Sequence, residues 1–236
     1  MRRETANRIR FVLEELFPPI MRDSIVFRWL IGLRYGSFAR EFFAFRRRAP
    51  FMTDAEFADF YRRYPRILDE TDLSRICIDR IAEDAKPGRA CDVGCGTGYL
   101  MRHLKSQARL AASSFVGVDI AVPPPDEAMA DVGTFVEARL ERLPFPDRSF
   151  DTVICTHTLE HIFGFQRAIE ELRRICSGRL IIVVPLERAY RYNFNPHLHF
   201  FAYPEGFLAQ IVPIPEQHHC EVLKRDIYYW EDRPAD

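Results

Sequence analysis

No disulfide framework is visible in this chain. Its six cysteines, Cys77, Cys91, Cys95, Cys155, Cys176 and Cys220, follow no paired spacing. That excludes a small bridged scaffold and reads as reduced thiols of a cytosolic protein. Long apolar runs are missing too: Ile25 to Leu33, the longest near the N-terminus, is broken by Arg28 and is too short for a membrane span. Met1-Arg2-Arg3 leads into Glu4, Asn7 and Arg8 where a signal peptide would need an apolar core. There is no basic excess, since 33 basic side chains face 34 acidic ones, and this argues against a dedicated DNA binder. Internal repeats and low-complexity tracts are also lacking. What is present is 47% hydrophobic residues in 236 positions, enough for one domain of moderate size plus an added segment. Charge is unevenly spread: residues 1–50 hold eleven Arg and no Lys against five acids, so the remainder carries seven negative charges on balance.

Residues 1–70 read as a helical N-terminal extension. Phe11, Val12, Leu16 and Phe17 share one helical face ahead of Pro18-Pro19, and a second apolar segment runs from Ile20 to about Phe45, interrupted by Gly32 and Gly36. Thr53 and Glu56 make a capping box before Phe57, Phe60 and Tyr61, in a helix that ends before Pro65. From residue 71 to 236 the rhythm becomes helix–strand alternation. Helices are expected over 72–84, 99–108 and 165–176, and strands over 90–93, 115–118, 135–136, 152–155 and 180–184. This predicts an α/β fold: a doubly wound, mainly parallel sheet covered by helices. Glu221 to Trp230 is short for two closing strands, which predicts an abbreviated edge.

Asp92-Val93-Gly94-Cys95-Gly96-Thr97-Gly98-Tyr99 closes the first strand and opens a helix. A dinucleotide fingerprint needs a third glycine where Tyr99 stands. Asp92 would repel a pyrophosphate yet suit a cation. Asp119, at the end of the next strand, can accept both hydroxyls of a ribose. A ribose and a positive charge without a phosphate describe S-adenosyl-L-methionine.

The stretch Cys91–Leu100, the acid Asp119 and the run Leu143–Asp151 resemble the class I S-adenosylmethionine-dependent methyltransferases over about residues 71–236. The resemblance implies a cofactor site made by Asp92, Gly94, Cys95, Gly96, Gly98, Tyr99, Asp119, Ile120, Arg139, Leu140 and Thr156. Asp92 and the glycine loop would meet the methionine end, and Asp119 with Ile120 the ribose and adenine. Many relatives carry Asp at the Arg139 slot to bind the adenine amino group; arginine cannot accept that bond.

After the fourth strand come His157, Glu160 and His161, which would share one face if a helix starts there. They are expected to act in catalysis as a general base, or to form a divalent metal site completed by an imidazole of Asn195–Phe201, His199 by preference over His197. Leu-Glu-His elements of this kind resemble those of small-molecule O-methyltransferases. Tyr190, Tyr192, Phe194, Phe200, Phe201 and Tyr203 are expected to wall a small-molecule or glycosyl acceptor. His218-His219 has no motif around it and reads as surface.

The resulting expectation is methyl transfer to an oxygen of a small, glycosyl or lipid-linked acceptor, with no DNA partner. An RNA or protein methyltransferase and a non-catalytic cofactor-binding scaffold are the alternatives. The N-terminal helices have three readings: packing on their own domain, a lid over the acceptor, or peripheral membrane contact through residues 20–48. In the last, Phe27, Trp29, Phe38, Phe42 and Phe43 would insert, with Arg46–Arg48 outside.

Overall fold

The computed structural model describes residues 18–65, 71–122 and 131–234. The amphipathic run 11–17 expected from the sequence lies outside them. A short helix α1 (Pro19–Arg22) precedes α2 (Ile25–Tyr35), which is capped by Ser24 accepting from the Phe27 amide. Gly36, at φ +52°, ends α2 and turns the chain into α3 (Ala39–Arg48). Gly32, expected to interrupt the segment, lies inside α2. Helix α4 (Asp54–Arg63) carries the expected Thr53–Glu56 capping box and stops before Pro65.

Helix α5 (Arg75–Asp84) starts later than expected because Ser74 caps it, leaving Leu73 buried just ahead. Then come β1 (Arg89–Val93), α6 (Tyr99–Lys105), β2 (Ser114–Asp119), β3 (Thr134–Glu137) and β4 (Phe150–Thr156). Next are α7 (Phe165–Ile175), β5 (Cys176–Pro185), α8 (Pro204–Leu208), β6 (His218–Leu223) and β7 (Asp226–Asp232). The seven strands pair in the order β3-β2-β1-β4-β5-β7-β6, with β7 antiparallel to both of its neighbours. The expectation of an abbreviated edge is therefore wrong. The hairpin turns tightly at Lys224, a residue at φ +61°, so two full strands fit where the sequence seemed too short. His218 and His219 lie on β6, the first exposed as expected and the second half-buried.

Alternate residues of β4 and β5 feed opposite faces of the sheet, as a two-sided core requires. Val153, Cys155, Leu180, Ile182 and Val184 meet α7, while Ile154, Ile181 and Val183 meet α5 and α6. Leu180 to Val184 are all 1% exposed or less, each aliphatic side chain contributing about 1.5–3 kcal/mol by leaving water. From β1 the chain winds outward through β2 and β3, then returns to place β4 on the other side of β1. The switch point between β1 and β4 opens a crevice at the carboxyl ends of the strands.

Helices α2–α4 form aromatic clusters that lie against this end of the sheet domain. Arg46 donates to the carbonyls of His197 (2.9 Å) and Tyr190 (2.9 Å), and the Tyr35 hydroxyl donates to the Phe194 carbonyl. Arg62 reaches Glu137 at 2.6 Å. The aromatic residues after β5 thus serve largely as a seat for the helices: Phe194 meets Phe27, Tyr192 meets Phe43, and Phe201 is core. The side chains expected to insert into a membrane are corrected for the same reason. Phe27 and Phe42 are buried, Phe38 and Phe43 half-buried, and of that set only Trp29 is exposed.

Candidate active site

A cleft of about 480 Å³ lies over the carboxyl ends of β1, β2 and β4, a volume suited to a small ligand. Among its lining residues are Asp92, Gly94, Cys95, Gly96, Tyr99, Asp119, Ile120, Arg139, Leu140 and Thr156. Gly98, expected with them, instead caps α6 from a left-handed conformation.

The loop after β1 is fixed by its own main chain. The amides of Gly94 and Cys95 donate to the Val118 carbonyl at 2.7 and 3.0 Å, and the Gly96 amide donates to Asp119 Oδ2 at 2.9 Å. Gly94 sits at φ +82°, where a Cβ would lie 1.8 Å from Thr158 Oγ1; no other residue fits without displacing the loop. Asp92 is 2% exposed, and its Oδ1 has no hydrogen-bond partner. Burial, followed by the nearby charge of Asp119, raises its carboxyl to about 7. An anion this poorly solvated favours a cation beside it.

Arg139 points elsewhere. Its guanidinium is held by Glu141 at 2.6 Å and by Asp54 of α4 at 2.8 Å, and it lies over the Phe57 ring. The position expected to meet the adenine edge thus ties the N-terminal helices to the cleft. Leu140 beside it is buried.

Past β4 the expected helix does not form. His157 takes a left-handed conformation at φ +48°, and residues 159–161 make a single 3₁₀ turn. His157, Glu160 and His161 nonetheless converge. His157 Nε2 lies 3.2 Å from Asp226 Oδ1 and its Nδ1 3.5 Å from Glu160 Oε1. Burial alone would lower His157, but the charge and hydrogen bond of Asp226, with Glu160, carry it up to about 10. At neutral pH it is an imidazolium. Glu160 is fully buried, and neither of its carboxylate oxygens completes a hydrogen bond. Its burial is outweighed by the surrounding imidazoles, so it stays below the usual carboxylate range. Burial and the His197 charge push His161 down to about 3, leaving it neutral.

His199 is not part of this group, contrary to expectation. Its Nε2 lies 2.9 Å from the Ile162 carbonyl. His197 takes the place instead, because the Glu160 carbonyl accepts both the Leu198 and His199 amides and so stations residue 197 alongside. One ligand atom each of Glu160, His161 and His197 lie within 4.8 Å of one another, and His197 Nδ1 is bonded to buried Glu187. Two imidazoles and a carboxylate, with an outer carboxylate orienting one ring, are a donor set that suits a divalent transition metal. His157, turned to Asp226, is outside that set.

Tyr61 of α4 closes the cleft from above, edge-on to His161 with ring centroids 5.6 Å apart. Its buried hydroxyl has no partner. Nothing local in the sequence marks Tyr61, Glu187 or Arg22 as site residues, whereas His197 is the less preferred of the two imidazoles expected from Asn195–Phe201.

Residues 91–182 match the family model of the methyltransferase domain. The chain carries a class I S-adenosylmethionine-dependent methyltransferase domain. It is similar to the malonyl-[acyl-carrier protein] O-methyltransferase of Geobacter sulfurreducens, with 33% identity over 110 residues covering 44% of this chain and 40% of that protein. Similarity to the demethylmenaquinone methyltransferase of Thermus thermophilus is 33% over 117 residues, covering 46% and 52%. The methyltransferase match thus spans about half or less of the length of these curated relatives. Among solved structures, a SAM-dependent methyltransferase from Aquifex aeolicus superposes with TM-score 0.51 at 16% identity, covering 77% of this chain and 98% of that one. A protein from Pyrococcus horikoshii gives 0.53 at 19%, covering 75% and 99%. At these identities the likeness shows the methyltransferase fold, and it reaches beyond the 91–182 match.

Proposed function

We propose that the protein transfers the methyl group of S-adenosyl-L-methionine to an oxygen of a small-molecule acceptor. The observation that carries this reading is a single roofed cleft. It joins the Asp92–glycine loop–Asp119 edge to a buried Glu160–His161–His197 cluster beneath Tyr61. Asp92 and the bare turn at Gly94 would receive the methionine end, and Asp119 the ribose diol. The acceptor would lie between that cofactor and the imidazoles. Its oxygen attacks the methyl carbon in line, forming the C–O bond as the C–S bond breaks and the sulfonium leaves as a neutral thioether. The acceptor proton passes to the His161–Glu160 pair, in which the ionised carboxylate 4.0 Å from the ring works against the burial that disfavours an imidazolium there. Protonated His157 stays with Glu160 and Asp226 as an orienting cation.

The roof favours a small acceptor over an RNA track, because the aromatic loop is occupied in holding helices rather than offering stacking faces. A divalent metal on Glu160, His161 and His197 is a second reading, supported by the two unsatisfied carboxylate oxygens. Such an ion would supply Lewis acidity toward the acceptor hydroxyl. Calorimetry tests the main reading. The protein is expected to bind both S-adenosylmethionine and S-adenosylhomocysteine, and a folded sample that binds neither would refute it. For chemistry, His161→Ala is expected to lower turnover at least about a hundredfold while shifting cofactor affinity less than threefold.

A lipid surface is the partner reading for the outer helices. Ile25, Val26, Trp29, Leu30 and Leu33 are exposed along α2. Beside them Arg28, Arg40 and Arg47 edge a groove and face no carboxylate among the described residues. Apolar side chains with unneutralised arginines suit an anionic bilayer.

A further inference from the structure

We infer that the acceptor carries an oxyanion, a carboxylate or a phosphoryl group, and that Arg22 receives it in the cleft. The inference rests on the methyl-transfer reading and names the class of its substrate. Arg22 closes α1 and lines the cleft, and it is the one arginine among the described residues that is fully buried, at 3% exposure. Its guanidinium carbon stands 3.5 Å over the Tyr190 ring and 5.4 Å from that of Phe27. Stacking occupies the faces of the guanidinium plane and leaves its in-plane N–H donors unused. Nε and Nη1 are buried and have no hydrogen-bond partner, and no described carboxylate pairs with the group.

The other enclosed arginines differ. Arg173 is clamped by Glu231 at 2.7 Å, Arg179 by Asp232 at 2.8 Å, and Arg46 donates to two carbonyls. A buried cation stacked on aromatic rings, with Nε and Nη1 left without partners, is costly unless a ligand supplies the counter-charge. A planar or tetrahedral oxyanion matches the guanidinium fork. Arg34, Asn193 and Asn195 also line the cleft and extend its polar lining.

The cleft therefore carries both signs of charge. Asp92 presents a carboxylate oxygen without a partner, suited to a cationic donor, and Arg22 presents unpaired N–H donors, suited to an anionic acceptor. The Glu160–His161–His197 cluster lines the same cleft and supplies the reacting groups.

The test is calorimetric titration of the full chain with sodium phosphate and, separately, sodium acetate, at constant ionic strength balanced with chloride. Wild-type protein is expected to bind at least one of the two anions. Arg22→Met is expected to weaken it about tenfold or more, a loss proper to a charge-assisted pair. Arg22→Lys should fall between the two, since it keeps the charge and loses the fork. Arg167→Met, on the exposed face of α7 and outside the cleft, should bind as wild type does. Arg22→Gln replaces the methionine variant should that one fail to fold. Tighter phosphate binding identifies a phosphoryl acceptor, and tighter acetate binding a carboxylate. The proposal is overturned if wild type binds neither anion, or if the charge-removing variant binds as well as wild type. Titrating the same samples with S-adenosylhomocysteine keeps the two readings apart. Its loss in wild type with the anion pattern intact would sink methyl transfer and leave the oxyanion site standing.

Discussion

At the carboxyl end of β1 a carboxylate is stripped of water and left with an unpaired oxygen. Asp92 takes up a proton at about pH 7, against 3.8 for a free side chain. Between those values the native state binds more protons than the unfolded one. This group's contribution to stability therefore falls as pH rises through that window. A cationic ligand reverses the preference by favouring the ionised form. S-adenosylmethionine affinity is thus expected to rise from pH 6 to pH 8 and level off above, and calorimetry across that range checks it. Asp92→Asn should flatten the profile and weaken binding about tenfold or more. Gly94→Ala would force a methyl group onto Thr158 and is expected to lower stability by about 1–3 kcal/mol, read from denaturant midpoints. These two positions were legible in the sequence because their chemistry is local: a strand end, a turn without side chains, an acid two residues before it. Tyr61 and Arg22 were not, and His197 was only the less preferred of two imidazoles. Residues 22, 61 and 197 come to one cleft only through tertiary packing, and nothing near Arg22 in the chain distinguishes it from ten other arginines in the first fifty residues.

At the scale of elements, α2 turns two faces to different surroundings. Phe27, Ile31 and Tyr35 are buried against α3 and the 190–197 loop, while Ile25, Val26, Trp29, Leu30 and Leu33 are exposed. The sequence announced an amphipathic, arginine-rich segment with three readings; packing on its own domain agrees with the buried Phe27 and Phe42, and only the membrane reading put those aromatic side chains on the wrong side. Phenylalanine is as suited to a core as to a bilayer, and periodicity alone cannot choose between them. Sedimentation with vesicles tests the lipid reading. Binding is expected to vesicles rich in phosphatidylserine and not to pure phosphatidylcholine, and to be abolished in Leu33→Glu. Equal recovery with both lipids, or no binding to either, would exclude it. The capping box of α4 was also foreseen, because Thr53 and Glu56 carry it within four residues. Thr53→Ala is expected to cost about 1 kcal/mol, visible as a lower denaturant midpoint.

Across the whole molecule, the alternation of helix and strand was readable in advance, and so was the doubly wound sheet. The closing hairpin was underestimated because a left-handed turn at a non-glycine residue leaves no mark in the sequence. The seam between the helices and the sheet domain was also hidden. It depends on Arg46 reaching two carbonyls some 150 positions away. Arg46→Met removes both bonds and leaves those carbonyls without their donor. It is expected to lower stability by about 2–4 kcal/mol and to expose the 188–197 loop to limited proteolysis. The six cysteines carry a further consequence. Five of them, Cys77, Cys91, Cys95, Cys155 and Cys176, are buried, and only Cys220 on edge strand β6 is partly accessible. Burial raises the thiols of Cys91, Cys95, Cys155 and Cys176 far above the range in which they would ionise. A thiol-reactive dye added to the native protein should therefore attach once per chain at most. The remaining five groups become a built-in clock, each alkylated only when its surroundings come apart.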